Sequence, residues 1–270
     1  MKRWRLAALA AGGLCVTGAF AGNPDATVLF HFDAANLPEG GTSAEAFADA
    51  GKMGGGTLQQ PLALVLSDPE AIKVETIGLG ANARALRIQL PKPAEGKVYN
   101  GVSIAIQDNA MGAAMEPDKP LNIELKFRRS AGGMSMSPVL IFVQDSARIN
   151  LSLGSTSLSA SDGGMFFLPA GEGGKSTPAG QIPDDELVTL TFRLVEASGR
   201  LSLSVKAVTG SGTLFEEQVA HLVPPPVGET SSEGRALTLH DLRGISLAAT
   251  VQAASGDLVF LDILSFRAWQ

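Results

Sequence analysis

The stretch "LVTLTFRLVEASGRLSLSVKAV", residues 187–208, constrains the fold more than any other part of the chain. Val188, Leu190, Phe192 and Leu194 alternate with Thr189, Thr191 and Arg193. "EASGR" then turns the chain, and Leu201, Leu203, Val205 and Ala207 alternate with Ser202, Ser204 and Lys206. A strict period of two on both sides of a short turn is the signature of an antiparallel hairpin with one dry face and one wet face. Such a hairpin cannot bury its apolar face alone, so a second layer must cover it.

Similar short apolar or alternating runs recur along the chain, at 27–32, 62–66, 72–79, 85–90, 102–107, 121–128, 139–144, 148–153, 164–168, 213–219, 244–251 and 257–266, with Gly, Pro, Ser and Asp between them. Long helical periodicity is absent; the one short helical candidate is "SAEAFADAG" (43–51). Many short strands without amphipathic helices predict an all-β, two-sheet antiparallel sandwich of the jelly-roll type. The glycine-rich stretches 51–57, 131–137 and 169–180 are expected as surface loops, and none divides the chain into two cores.

The N-terminus reads as a secretory signal. Lys2, Arg3 and Arg5 precede an apolar run from Leu6 to Ala21, and Ala19 and Ala21 fit a small-residue cleavage site. Residues 1–21 are therefore expected to be removed, leaving a single domain over 22–270 that is exported to the periplasm or beyond. Cleavage removes Cys15, the only cysteine, so the mature fold rests on core burial without disulfides. It also removes three positive charges, taking the formal net charge from -6 to -9. That balance argues against a nucleic-acid partner. No second apolar segment of membrane length follows.

Chemistry-bearing motifs are scarce. "GEGGKST" ends like a phosphate-binding loop, but Pro169 stands where the first glycine of that motif belongs, and no helix-forming segment follows. There is no G-x-S-x-G elbow, and His31, His221 and His240 are scattered. Paired acids at Asp184-Asp185-Glu186 and Glu216-Glu217 are adjacent, which sends neighbours to opposite faces of a strand. No residue is assigned a catalytic role.

One acid stands out. In "DLVFLDILSF", uninterrupted alternation would put Leu258, Phe260, Asp262, Leu264 and Phe266 on one face, so Asp262 sits in a run whose two faces both look buried. An isolated buried carboxylate is costly, so it requires a partner. If the first and last strands are neighbours, Asp33 at the end of "TVLFHFD" converges with Asp262, and the two carboxylates become candidate ligands for a structural calcium ion. The other readings are a carboxylate that caps backbone donors of a loop crossing the sheet edge, one that faces solvent at a bulge, or a catalytic acid.

Three segments, "LFHFDAAN", the central hairpin with its following "TGSG", and "LVFLDILSFRA", resemble the concanavalin A-like or laminin G-like β-sandwich domains of secreted bacterial proteins. Galactose-binding-like jelly rolls share similar first and last strands. The resemblance covers about a fifth of the chain. The tryptophan common before the central hairpin in that family is replaced here by Glu186 and Leu187. It implies recognition of a glycan or an extracellular protein more than catalysis.

Sugar rings are commonly held on flat aromatic faces, and the mature chain offers only Tyr99 and Trp269 of the tyrosine and tryptophan types. Tyr99, in the loop-like "KVYNGV", and Asn100 beside it are the candidate ligand-binding residues. Met134 and Met136 could add an adaptable apolar surface or tuck beneath a loop. The sequence thus supports a non-catalytic binding domain first, with an envelope interaction domain lacking a small ligand and a sandwich-fold glycan hydrolase or lyase as alternatives.

Overall fold

The computed structural model describes residues 27–38, 40–41, 47, 62–80, 83–107, 111–112, 115–143, 148–154, 164–171, 177–223, 237–252 and 258–270. The expected signal segment and most of 43–51 lie outside these residues. Of the helical candidate only Phe47 is described, buried with its ring 5.0 Å from Phe32.

The strands in chain order are β1 (Val28–Asp33), β2 (Gly40–Gly41), β3 (Ala63–Leu66), β4 (Lys73–Gly78), β5 (Arg84–Pro91), β6 (Tyr99–Gln107), β7 (Leu121–Arg129) and β8 (Ser135–Val143). They continue with β9 (Arg148–Gly154), β10 (Gly164–Leu168), β11 (Thr177–Ile182), β12 (Val188–Ala197), β13 (Arg200–Thr209), β14 (Gly212–Val219), β15 (Leu242–Gln252) and β16 (Leu258–Trp269). They form two antiparallel sheets. One has nine strands in the order β14-β13-β12-β7-β16-β5-β4-β2, with β1 also paired to β16; the other has seven, in the order β11-β10-β9-β8-β15-β6-β3. The chain is an all-β, two-layer antiparallel sandwich, as the hairpin demanded.

Alternation explains the layers. In β7, Leu121, Ile123, Leu125 and Phe127 are buried, whereas Asn122, Glu124, Lys126 and Arg128 are partly exposed. The hairpin β12–β13 behaves likewise, with Val188, Leu190, Phe192 and Leu194 inward beside Leu201, Leu203, Val205 and Ala207. The inner faces of the two sheets meet in one continuous core. Phe166 of β10 reaches across it to the rings of Phe192 at 6.2 Å and Phe215 at 5.4 Å.

Three features depart from the sequence reading. Residues 177–180, expected at the end of a glycine-rich loop, belong to β11, which pairs with β10 alone at the end of its sheet. An end position leaves one edge of the strand unpaired, and this tolerates Pro178, which lacks an N–H. Gly180 is needed there, because a Cβ at that position would lie 2.6 Å from the Phe215 ring. The stretch 131–137 is likewise only partly loop: β8 begins at Ser135, and Met134 and Met136 are buried in the core. Tyr99 opens β6 and is not in a loop.

β1 and β16 are antiparallel neighbours, as expected of the first and last strands. β16 also pairs with β5 along Leu258–Ile263 and with β7 along Leu261–Trp269. It therefore runs through the middle of the nine-stranded sheet. Between Ile263 and Ser265 its register against β7 shifts by one residue. Val259, Leu261 and Ile263 point inward before this bulge, and Phe266 and Ala268 do so after it. The extra residue reverses the parity of the strand, so Phe266 does not share a face with Asp262.

Candidate functional site: the outer face of β16

Ahead of the bulge, Phe260 and Asp262 belong to the outer face of the nine-stranded sheet. Asp262 is nevertheless 0% exposed. Its cover is supplied by the two strands that flank it. In cross-strand register Asp262 stands opposite Arg87 of β5 and Arg128 of β7. Arg87 Nε donates to Oδ1 at 2.7 Å and Arg87 Nη2 to Oδ2 at 2.9 Å, while Arg128 Nε and Nη2 donate to Oδ2 at 3.0 and 2.6 Å. Four charge-assisted hydrogen bonds thus replace the hydration of one carboxylate, which answers the cost of burying it. The bond to Asp262 raises the pKa of Arg87 above its ordinary value, opposed by partial burial and reinforced by the charges of Asp262 and Glu75.

The guanidinium groups also cover an aromatic ring. Arg87 lies 4.2 Å and Arg128 5.5 Å from the centre of Phe260. Backbone bonds with Ser130 hold Phe260 in place: its N–H donates to Ser130 Oγ at 2.9 Å, and its carbonyl accepts from the Ser130 N–H at 3.0 Å. The next strand outward, β4, aligns Glu75 with Arg87 and Lys73 with Gln89. Gln89 Nε2 donates to Glu75 Oε1 at 2.7 Å.

A second polar group follows beyond the bulge. Arg267 pairs with Glu124 at 2.9 Å and lies 4.9 Å from the centre of the Trp269 ring, while His31 of β1 stands opposite Arg267. Burial lowers the His31 pKa from its usual value, with Asp33 pulling the other way.

The two acids expected to share calcium are therefore engaged separately. Asp33 is in register with Ser265, three residues along β16 from Asp262, and its Oδ1 accepts from the N–H of Ala35 at 2.9 Å at the start of a 3-10 turn. Both oxygens of Asp262 face guanidinium cations. A calcium ion requires six to eight oxygen ligands and would meet two positive charges here, so these residues do not fit it. The strand neighbours were expected; the arginines were not, and they supply the positive charge assigned to the ion. Among the described residues, no group of three His, Cys, Asp or Glu side chains is placed to hold a metal ion. The melting temperature of the purified protein is accordingly expected to be the same in calcium and in chelator. A rise of a few degrees with calcium, as a ligand specific to the folded state produces, would overturn the arginine account of Asp262.

The two candidate ligand-binding residues have different fates. Tyr99 is 52% exposed and stands where the chain passes from β5 into the seven-stranded sheet, free to contact a ligand. Asn100 is 2% exposed, and its amide donates to the Pro91 carbonyl at 2.9 Å, so it ties β6 to β5 and does not reach the surface. The sequence reading missed Arg87, Arg128, Gln89 and Phe260. The available signal was a lone arginine at a wet position in each of "ALRIQL" and "LNIELKFR", on strands long enough to flank the closing one.

No protein-family model matches the chain, and no curated protein matches it. Several solved structures are similar to it. A sialidase has a TM-score of 0.44 and 11% identity over 76% of this chain, which spans only 16% of that protein. Lectin II from Ulex europaeus has a TM-score of 0.45 and 11% identity, over 88% of this chain and 97% of the lectin. Endo-beta-1,4-glucuronan lyase from the fungus Trichoderma reesei has a TM-score of 0.45 and 8% identity, over 76% of this chain and 89% of the lyase. At these values the likeness assigns neither a family nor a site to this chain.

Proposed function

We propose that this chain is an exported, non-catalytic binding domain that holds a glycan on the outer face of its nine-stranded sheet. The observation that carries this reading is the row of polar side chains on the neighbouring strands β4, β5, β16 and β7, with two guanidinium planes over Phe260. Hydroxyl-rich ligands are recognised by fixed donors and acceptors, and these are fixed by rigid strands and by one another.

Nothing in the row favours catalysis. A general acid must present a proton-bearing oxygen to its substrate, and the oxygens of Asp262 are turned to four arginine N–H groups. Among the described residues no helix is long and apolar enough to cross a membrane. The expected signal segment supports export.

The test is retardation of the protein in native gels containing neutral or acidic polysaccharides. Gln89→Ala should weaken retardation without moving the melting temperature, because Gln89 lies on the outer face and bonds only to Glu75 among the described residues. Tyr99→Ala should leave it unchanged, because Tyr99 shares the outward face of β6 with Gly101 and Ser103, on the side of the sandwich away from β16. Absence of retardation by every polysaccharide would remove the glycan reading and leave a protein partner to be sought.

A further inference from the structure

The cluster around Asp262 has more cation than its carboxylate needs. One arginine neutralises one aspartate, yet two converge on Asp262, from strands on opposite sides of it. Arg87 and Arg128 each spend Nε and Nη2 on that carboxylate. Their Nη1 groups make no hydrogen bond among the described residues. The two side chains are 24% and 28% exposed, so the assembly has a buried carboxylate, Asp262, beside the half-buried ring of Phe260, and a surface of guanidinium edges. Around it, Lys73, Arg87 and Arg128 face Glu75 and Asp262, three cations against two carboxylates. The chain as a whole has 27 acidic side chains against 21 basic ones.

Resting on the glycan reading above, we infer that the ligand is anionic, and that a carboxylate or sulfate of an acidic polysaccharide is seated between the Nη1 groups of Arg87 and Arg128. Guanidinium N–H groups suit oxyanions with two or three acceptor oxygens, and their bonds to an ionised acceptor are about twice as strong as neutral ones. Asp262 fixes both side chains before the ligand arrives, so little conformational freedom is lost on binding. The same aspartate fixes the polarity of the arginine pair: with its own oxygens sealed below, the two guanidinium groups present only donors outward. A neutral sugar would leave the excess cation uncompensated. The acidic remainder of the protein repels polyanions in general, so binding of one must come from a local site.

The experiment compares retardation by dextran, dextran sulfate and polygalacturonate, for the wild type and for Arg128→Lys. The lysine can keep an ion pair with Asp262 while removing the guanidinium fork and its spare donor. The expected result is retardation by an acidic polymer and not by dextran, suppressed at high salt, and weakened about tenfold or more by Arg128→Lys. Retardation by polygalacturonate alone identifies a carboxylate, by dextran sulfate alone a sulfate, and by both an oxyanion of either kind. Equal retardation by dextran would overturn the anionic assignment and leave the glycan reading standing, whereas no retardation by any neutral or acidic polymer would remove both. Acidic binding unchanged in a folded Arg128→Lys protein would place the anion elsewhere and overturn the site. Should that variant fail to fold, the arginine Nε–H signals of the wild type decide: those of Arg87 and Arg128 shift on adding oligogalacturonate or sulfated oligosaccharide, or the proposal falls.

Discussion

Replacing Asp262 with asparagine is expected to destabilise the protein by about 2–4 kcal/mol, read as a lower urea midpoint at unchanged slope. Removing one partner of a buried ion pair typically costs ~3–5 kcal/mol, because the charge left behind is unpaired. The orphaned groups here are Arg87 and Arg128, at 24% and 28% exposure, so water can recover part of that loss. The carboxamide keeps the shape of the side chain but not the charge that holds two cations together. A diagnostic follows from the same physics. An apolar trio, with Asp262→Leu, Arg87→Met and Arg128→Met combined, should recover much of the loss, since it strands no charge and needs no desolvation of ions. An Asp262→Asn protein with the wild-type midpoint would mean that the two guanidinium groups contribute nothing to the fold.

Phe166→Ala is expected to cost about 3–5 kcal/mol, the range for emptying a fully buried aromatic site. Phe166 is 0% exposed and comes from the seven-stranded sheet, while the rings it meets, Phe192 and Phe215, belong to β12 and β14 of the other. It fills the space between the layers on the side far from β5, where β11 and β14 lie against each other. Its removal leaves a cavity that neither sheet can close without changing its twist. Phe166→Leu, which keeps part of the volume, should cost clearly less. Equal losses for the two variants would show that the ring contacts matter more than the filled space. Binding of an acidic polysaccharide by a folded Phe166 variant should be unaffected, since the outer face of β16 is built from other strands.

Alternation in the chain makes the sandwich legible in the sequence itself. Among the described residues, fourteen of the sixteen strands coincide with segments chosen for apolar periodicity, because burial on one face of a sheet imposes a period of two. β11 escaped because its one-sided pairing permits "TPAGQI", whose proline and glycine read as loop. The site was legible only in part. The sequence marked Asp262 as an acid in need of a partner and placed β1 beside β16, but the partners come from β5 and β7, 175 and 134 residues away in sequence. No local pattern specifies which wet arginine meets which acid across strands. Nor does alternation announce a bulge at Leu264, and that one inserted residue turned Phe266 into the core and left Asp262 outside it. The resulting carboxylate is buried by its neighbours' side chains, a form of burial that a single strand's sequence does not encode.

The position of β16 has a consequence for how the chain can assemble. Of the sixteen strands among the described residues it is the last to be synthesised, yet it occupies the middle of its sheet, between β5 and β7 and beside β1. Until it arrives, the nine-stranded sheet exists only as separate pieces, and the pairings that join them span most of the chain, a topology that folds slowly. An obvious error would be for β5 and β7 to pair with each other directly. Both carry an arginine on the outer face, at Arg87 and Arg128, and bringing these face to face without an anion between them would oppose that pairing. Asp262 removes the repulsion only when β16 is inserted in its native register, since a slip of one residue turns the carboxylate toward the core. The buried acid thus favours the native alignment of the closing strand over one slipped by a single residue.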